Sequence, residues 1–209
     1  MTRFGALALT LTPLALVAAA APVPVQAQAA DGLAQVQAHL RAVNSMTASF
    51  TQSDRRGQTV SGTLTMKQPG RIRFDYGRSA NMLIVGDGRA LTFVDYDARQ
   101  VQRWPIGDSP LSVLLDASQD LSRFARVVRN DAQVLTIEAR DPRRREFGTI
   151  TLAFSKNASG PAGLILQGWN TIDAQNNLTT VRLANQRFNV PVADSLFRYR
   201  DPRRQGPRG

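Results

Sequence analysis

From Ser45 onward the chain alternates apolar and polar residues with a period of two, and it does so for most of its length. Met46, Ala48, Phe50 and Gln52 fall on one face of such a segment, with Thr47, Ser49 and Thr51 on the other. Val60, Gly62, Leu64 and Met66 alternate with Ser61, Thr63, Thr65 and Lys67, and Ile72, Phe74 and Tyr76 alternate with Arg71, Arg73 and Asp75. Successive side chains of a strand point to opposite faces, so this rhythm predicts antiparallel strands with one buried and one wetted face. The interruptions are turn formers: Asp54–Gly57, Pro69-Gly70, Gly86-Asp87-Gly88 and Asp95–Ala98. Further strands are predicted at Leu91–Val94, Gln100–Trp104, Phe124–Arg129, Gln133–Ala139, Phe147–Ser155, Leu164–Ile172 and Leu178–Phe188.

Two segments keep a different period. Leu33, Val36, Leu40 and Val43 sit at helical spacing, which predicts a helix opening at Asp31 or Gly32 and running through Asn44. His39 lies beside that stripe and reads as a packing or surface residue, not as a ligand or base. Ser109–Leu115 reads as a short helix with Ser109 as cap and Pro110 in its first turn. It has almost no polar face, so it must cover something or be covered. A sheet of about ten strands curls or closes. The expected fold is therefore mainly β with α: a curved, incomplete antiparallel barrel with helices on its concave side. No linker or repeat divides residues 30–209, so a single domain is expected.

So few helices leave part of a concave apolar face to be filled by something else, and barrel mouths favour apolar ligands. Met46, Phe50, Met66, Phe74, Met82 and Phe93 are candidates to line it, methionine being adaptable to ligands of variable shape. Periodicity alone does not separate a packed core from a cavity.

Composition narrows the chemistry. There is no cysteine and a single histidine, which removes disulfides, thiolate metal sites, a cysteine nucleophile and multi-histidine metal centres. Glycine-rich phosphate loops, G-x-S-x-G and H-E-x-x-H are absent. Asp87, Asp95 and Asp97 sit at turns and read as turn formers. The sequence thus points to binding, with no enzyme activity, cofactor or metal expected.

Residues 1–29 read as a cleavable secretory leader: Arg3, an uncharged run over Phe4–Ala21, and small residues at Ala27 and Ala29 around Gln28. A membrane anchor is the competing reading, weakened by Pro13, Pro22 and Pro24. The net charge is +10, and loss of the leader removes only Arg3. Its dense groups are Arg143-Arg144-Arg145 and a tail expected to be loose from about residue 200, preceded by Arg198. Export argues against a nucleic-acid partner. Transient attraction to an anionic membrane surface is the functional alternative to a merely solvated turn and tail.

Several stretches together resemble the LolA family of periplasmic carriers of outer-membrane lipoproteins. They are Ala48-Ser49-Phe50-Thr51-Gln52, the run Gly62–Tyr76 with Pro69-Gly70-Arg71-Ile72-Arg73-Phe74-Asp75-Tyr76, Leu83–Gly88, Asp97 with Gln100-Val101, and Asp194-Ser195-Leu196-Phe197. The resemblance implies an unclosed β-barrel with a helical lid over an apolar cavity. It implies a monomeric carrier that takes acylated lipoproteins from a LolCDE-type inner-membrane transporter and passes them to a LolB-like acceptor. LolB itself is lipid-anchored, and the absent cysteine favours the carrier. Under this reading the acyl chains would meet Met46, Phe50, Leu64, Met66, Ile72, Phe74, Met82, Ile84 and Phe93, and Leu111, Leu114 and Leu115 would form the lid. Many members have an arginine directly before the proline of the second strand pair; Gln68 stands there, so any latch at this position is uncharged. A lipid-binding sensor, or a carrier of another amphiphile on the same fold, is the competing reading.

Overall fold

The computed structural model describes residues 25–106, 111–140, 148–173 and 175–204. Its centre is one antiparallel sheet of eleven strands. The first meander is β1 (Ser45–Asp54), β2 (Thr59–Lys67), β3 (Arg71–Asp75), β4 (Met82–Asp87), β5 (Ala90–Asp95) and β6 (Gln100–Pro105). The second is β7 (Ala125–Asn130), β8 (Val134–Ala139), β9 (Thr149–Lys156), β10 (Leu164–Ile172) and β11 (Leu178–Phe188). Strands adjacent in sequence pair within each meander, and β1 with β11 joins the two.

The sheet's free edges are thus β6 and β7, which follow one another in the chain. Curvature brings the halves face to face: Phe74 of β3 meets Trp169 of β10 edge-on with ring centroids 6.1 Å apart. The chain between β6 and β7 therefore crosses the open seam, and the barrel is incomplete, as the alternation predicts.

Register explains why one face is continuous. Met46, Met66, Ile72, Gly86 and Leu91 form one cross-strand row, and Ala48, Leu64, Phe74, Ile84 and Phe93 form the next. From the other meander Leu135, Ile137, Ile150, Leu152, Phe154, Leu166 and Trp169 are buried in the same cluster. Gly62 is what lets β1 carry a phenylalanine here. It pairs with Phe50, and a Cβ on it would stand 2.8 Å from the Phe50 ring and 2.1 Å from the Asp75 carbonyl oxygen.

Helix α1 (Val25–Ala42) covers the β7–β10 half of this face, burying Val36 and Leu40. It opens earlier than the expected Asp31 or Gly32, because Val25–Ala30 is rich in the good helix formers Ala and Gln and follows Pro24 directly. Gly32 serves close packing instead of starting the helix. A Cβ there would lie 3.0 Å from Val127 and 3.2 Å from Leu135. The helix also stops at Ala42, short of Asn44. Asn189 turns it off, its Nδ2 donating to the Ala42 carbonyl (3.0 Å) while its Oδ1 accepts from the Asn44 amide (2.8 Å).

Helix α2 (Gly77–Ala80) is a single turn between β3 and β4 that the period-two reading omits. The short apolar helix α3 spans Ser112–Leu115, with Leu111 before its first turn; the expected Ser109 cap and Pro110 lie outside the described residues. Strand ends otherwise shift by a residue or two. Phe124, for example, precedes β7 because its amide closes a 3-10 turn on Leu121 (3.2 Å). Arg143–Arg145 and the start of the strand expected at Phe147 also lie outside the described residues.

After β11 the chain returns across the outer face of β3–β5. Phe197 inserts among Leu83, Val85 and Val94 and is 6% exposed. This strap accounts for the unbroken apolar run Met82–Val85: strands covered on both faces lose their alternation. Of the basic tail, Pro202–Arg204 form a 3-10 turn with Pro202 buried and Arg203 paired with Asp201 at 2.8 Å. Residues 205–209 lie outside the described residues.

Candidate functional site

The concave face is lined by four linked aromatics. Phe50 meets Phe74 at 5.3 Å and Tyr76 at 5.1 Å, both edge-on, and Phe74 passes the contact across the barrel to Trp169. Such T-shaped pairs suit the ring quadrupole. Tyr76 turns its hydroxyl to Gln52, donating at 2.8 Å, and burial pushes its pKa up to about 12. Among the described residues the buried polar side chains are His39, Ser45, Thr65 and Thr92, none of them a carboxylate, lysine or arginine. The interior therefore presents hydrocarbon and uncharged polar groups.

Of the nine residues expected to contact acyl chains, Met46, Phe50, Leu64, Met66, Ile72 and Phe74 are buried in this cluster, and Met82 and Ile84 pack against it half-buried. Phe93, next in the row beyond Ile84, is half-buried and stands outside the cluster. Leu114 and Leu115 of α3 are 1% and 2% exposed and join the same cluster, with Leu111 packed at its margin. The expected lid thus fills the concave face with its own side chains.

Hydrogen bonds hold this segment from two sides. On one, the turn between β2 and β3 reaches it: Gln68 Nε2 donates to the Leu114 carbonyl at 3.3 Å, and the Gly70 amide donates to the Leu115 carbonyl at 2.9 Å. On the other side stands Gln37 of α1, which sequence reasoning does not single out. Its Nε2 donates to the Ala117 carbonyl at 2.9 Å and its Oε1 accepts from the Leu121 amide at 3.2 Å. One side-chain amide thereby ties both ends of the stretch that follows α3. Nothing in the sequence marks Gln37, since a polar residue beside an apolar stripe is ordinary on an amphipathic helix.

His39 is a packing residue. It is 2% exposed, edge-on to Phe154 (5.3 Å) and Phe188 (5.9 Å), and Nδ1 donates to the Pro161 carbonyl at 2.8 Å. Desolvation holds its pKa below the ordinary 6.5. The carboxylates singled out at turns have turn duties: Asp87 accepts from the Arg89 and Ala90 amides, Asp95 from Ala98, and Asp97 from the Asn81 side chain. Among the described residues no group of three or more His, Asp or Glu is placed to hold a metal ion. No helix among them is long and apolar enough to cross a membrane.

A groove of about 520 Å³ lies on the opposite face of β8–β11, lined by Thr136, Thr151, Gln167, Asn170, Thr180 and Arg182 among others. Those side chains share the cross-strand rows that face away from Leu152, Trp169 and Val181. It is open, and Ala153, Trp169, Val181 and Leu183 border it together with the polar residues.

Comparison with known proteins agrees with this architecture. Residues 41–200 match the family model "Outer membrane lipoprotein carrier protein LolA". An outer-membrane lipoprotein carrier protein of Methylobacillus flagellatus is 30% identical over 182 residues, covering 81% of this chain and 85% of that one. One from Actinobacillus succinogenes is 31% identical over 186 residues, covering 83% and 84%. Among solved structures, an uncharacterized conserved protein from Thermus thermophilus superposes with a TM-score of 0.50 at 11% identity, covering 82% of this chain and 94% of that one; that likeness concerns the fold alone. The match identifies carriers, not enzymes. It spans both the hairpin that grips α3 and the strap that ends in Phe197, and the chain belongs to the LolA family of outer-membrane lipoprotein carrier proteins.

Proposed function

We propose that this protein is a periplasmic carrier that shields the acyl chains of lipoproteins on the concave face of its sheet, beneath α3. The supporting observation is that a continuous, uncharged apolar face is covered at the barrel's open seam by a segment fixed through amide hydrogen bonds and three buried side chains. A long acyl chain gains about 0.8 kcal/mol per buried methylene, on the order of 10 kcal/mol in all. Val113, Leu114 and Leu115 gain about 1.5–3 kcal/mol apiece by occupying the same surface. The two occupants are therefore comparable, and loading exchanges one for the other. That balance suits a carrier, which must release its cargo as well as hold it. Met46, Phe50, Leu64, Met66, Ile72 and Phe74, with Met82, Ile84 and Phe93 toward the margin, are the hydrocarbon contacts in this reading, and Gln68 is an uncharged latch.

Cargo would arrive from a LolCDE-type transporter and leave to a LolB-like acceptor after cleavage of the leader at Ala29. Native mass spectrometry of protein purified from its own periplasm tests the cargo. Co-purifying acylated polypeptide supports the reading, and free lipid alone points to another amphiphile. A fluorescent apolar probe tests the lid: Leu114→Asp should change its uptake several-fold, and unchanged uptake would remove α3 from the mechanism.

A further inference from the structure

The turn that grips α3 has a second attachment, on the outside of the barrel. Lys67 and Arg71 are directly paired at the end of the β2–β3 hairpin, so both project from its outer face and flank the turn Gln68–Gly70. Like charges directly opposite across a strand pair repel and splay it. Here one atom neutralises both: Asp194 Oδ1 lies 2.6 Å from Lys67 Nζ and 2.6 Å from Arg71 Nη1. Lys67 Nζ also donates to the Val192 carbonyl at 2.9 Å. Two residues on, Arg73 Nη1 donates to the Leu196 carbonyl at 3.1 Å while Nη2 pairs with Asp75 at 2.7 Å. The two cations hold the Asp194 carboxyl below the ordinary carboxylate range. The strap carrying Asp194 is anchored in turn by buried Phe197.

We infer that Asp194 is a positioning residue for the lid: by clamping Lys67 and Arg71 together it fixes the turn whose Gln68 side chain and Gly70 amide hold α3 shut. The C-terminal strap thereby sets how readily α3 leaves the concave face, although it touches the sheet from the opposite side. A docking partner that drew Asp194 away would loosen the lid without entering the barrel. This inference rests on the carrier reading for its purpose, but the coupling itself exists whether or not the occupant is an acyl chain.

Amide hydrogen exchange on the empty protein separates the two ideas. Asp194→Asn keeps the side chain's shape and removes its charge, leaving Lys67 and Arg71 to repel. Exchange across residues 111–121 should quicken about two- to five-fold, the size expected of a partly exposed ion pair. Salt at about 0.5 M should do the same to the unaltered protein, whereas in the variant it screens the Lys67–Arg71 repulsion and should slow exchange part of the way back. Adding Lys67→Met to Asp194→Asn removes the repulsion and should return exchange in 111–121 toward its original rate. Acceleration confined to residues 190–199, with 111–121 unmoved, would overturn the inference, as would failure of the second substitution to restore protection. Neither result bears on cargo, which is read separately by uptake of the apolar probe.

Discussion

His39 illustrates how one buried side chain sets a measurable property of the whole. Folded, its ring is desolvated among Phe154 and Phe188 and resists protonation; unfolded, it titrates at its ordinary value of 6.5. Between those two pKa values the unfolded chain binds more protons, so stability rises with pH there and falls as the solution is acidified through 6.5. The decline is at most about 1.4 kcal/mol per pH unit. It is the chain's single histidine, and the structural carboxylates have their pKa values lowered, so their effect begins at lower pH. Denaturant unfolding between about pH 7.5 and 5.5, the range that brackets histidine titration, should therefore show a slope that His39→Gln abolishes. A slope that survives the substitution would place the proton uptake elsewhere. Gln68 offers a second test at this scale. Gln68→Arg would put a cation on the Leu114 carbonyl, and charge-assisted hydrogen bonds are roughly twice as strong as neutral ones. Uptake of an apolar probe should slow several-fold in Gln68→Arg and quicken in Gln68→Ala; equal rates in both would mean that the 3.3 Å contact carries no load.

Among the elements, α1 does more than cap a core. Gln35 and His39 reach the β9–β10 connection, donating to the Ala162 and Pro161 carbonyls, while Gln37 reaches the far side of the lid segment. The helix thus bonds both to the β9–β10 connection and to the segment that follows α3. Gln37→Ala removes both lid bonds and should lower stability by about 1–3 kcal/mol, because the Ala117 carbonyl and Leu121 amide lose partners in a partly buried site. Thermal unfolding reads the loss, and faster exchange of the Leu121 amide locates it. Period-two alternation is enough to read most of the strands, their faces and the incomplete barrel, since a strand covered on one face records its burial in its own residues. What sequence does not expose are relations between distant segments. Gln37, Asn189 and Asp194 act on partners 80 to 147 residues away, and no local periodicity encodes such a bond. Leu83–Val85 reads as part of a family motif, but its unbroken apolarity comes from a strap over 100 positions later. Gly32 passes for a helix start for the same reason: its small size answers to Val127 and Leu135, which no neighbour in sequence reveals.

At the scale of the molecule, the unpaired edges decide which parts can yield. Every strand interface from β6 round to β7 carries backbone hydrogen bonds, so opening any of them would break a ladder. Among the described residues the seam between β6 and β7 carries no ladder, and α3 belongs to the chain that links those two strands. Guest hydrocarbon should therefore enter beside α3 and spread under the sheet, and the first contact it must part is the edge-on pair Phe74 and Trp169. The chain holds two tryptophans, Trp169 on the inner face of β10 and the half-buried Trp104 on the edge strand β6. In a Trp104→Phe background all tryptophan emission comes from Trp169. Acyl chains brominated near their tips should quench it strongly on binding, since bromine quenches at close range. The same chains should leave a probe on the groove beside Arg182 unquenched, Arg182 being in a cross-strand row that faces away from Trp169. Quenching of the groove probe with Trp169 untouched would mean that hydrocarbon binds outside the barrel and that the concave face is core alone. Quenching of Trp169 together with faster exchange of the Gly70 and Leu121 amides would instead tie guest entry to loss of the bonds on both sides of the lid.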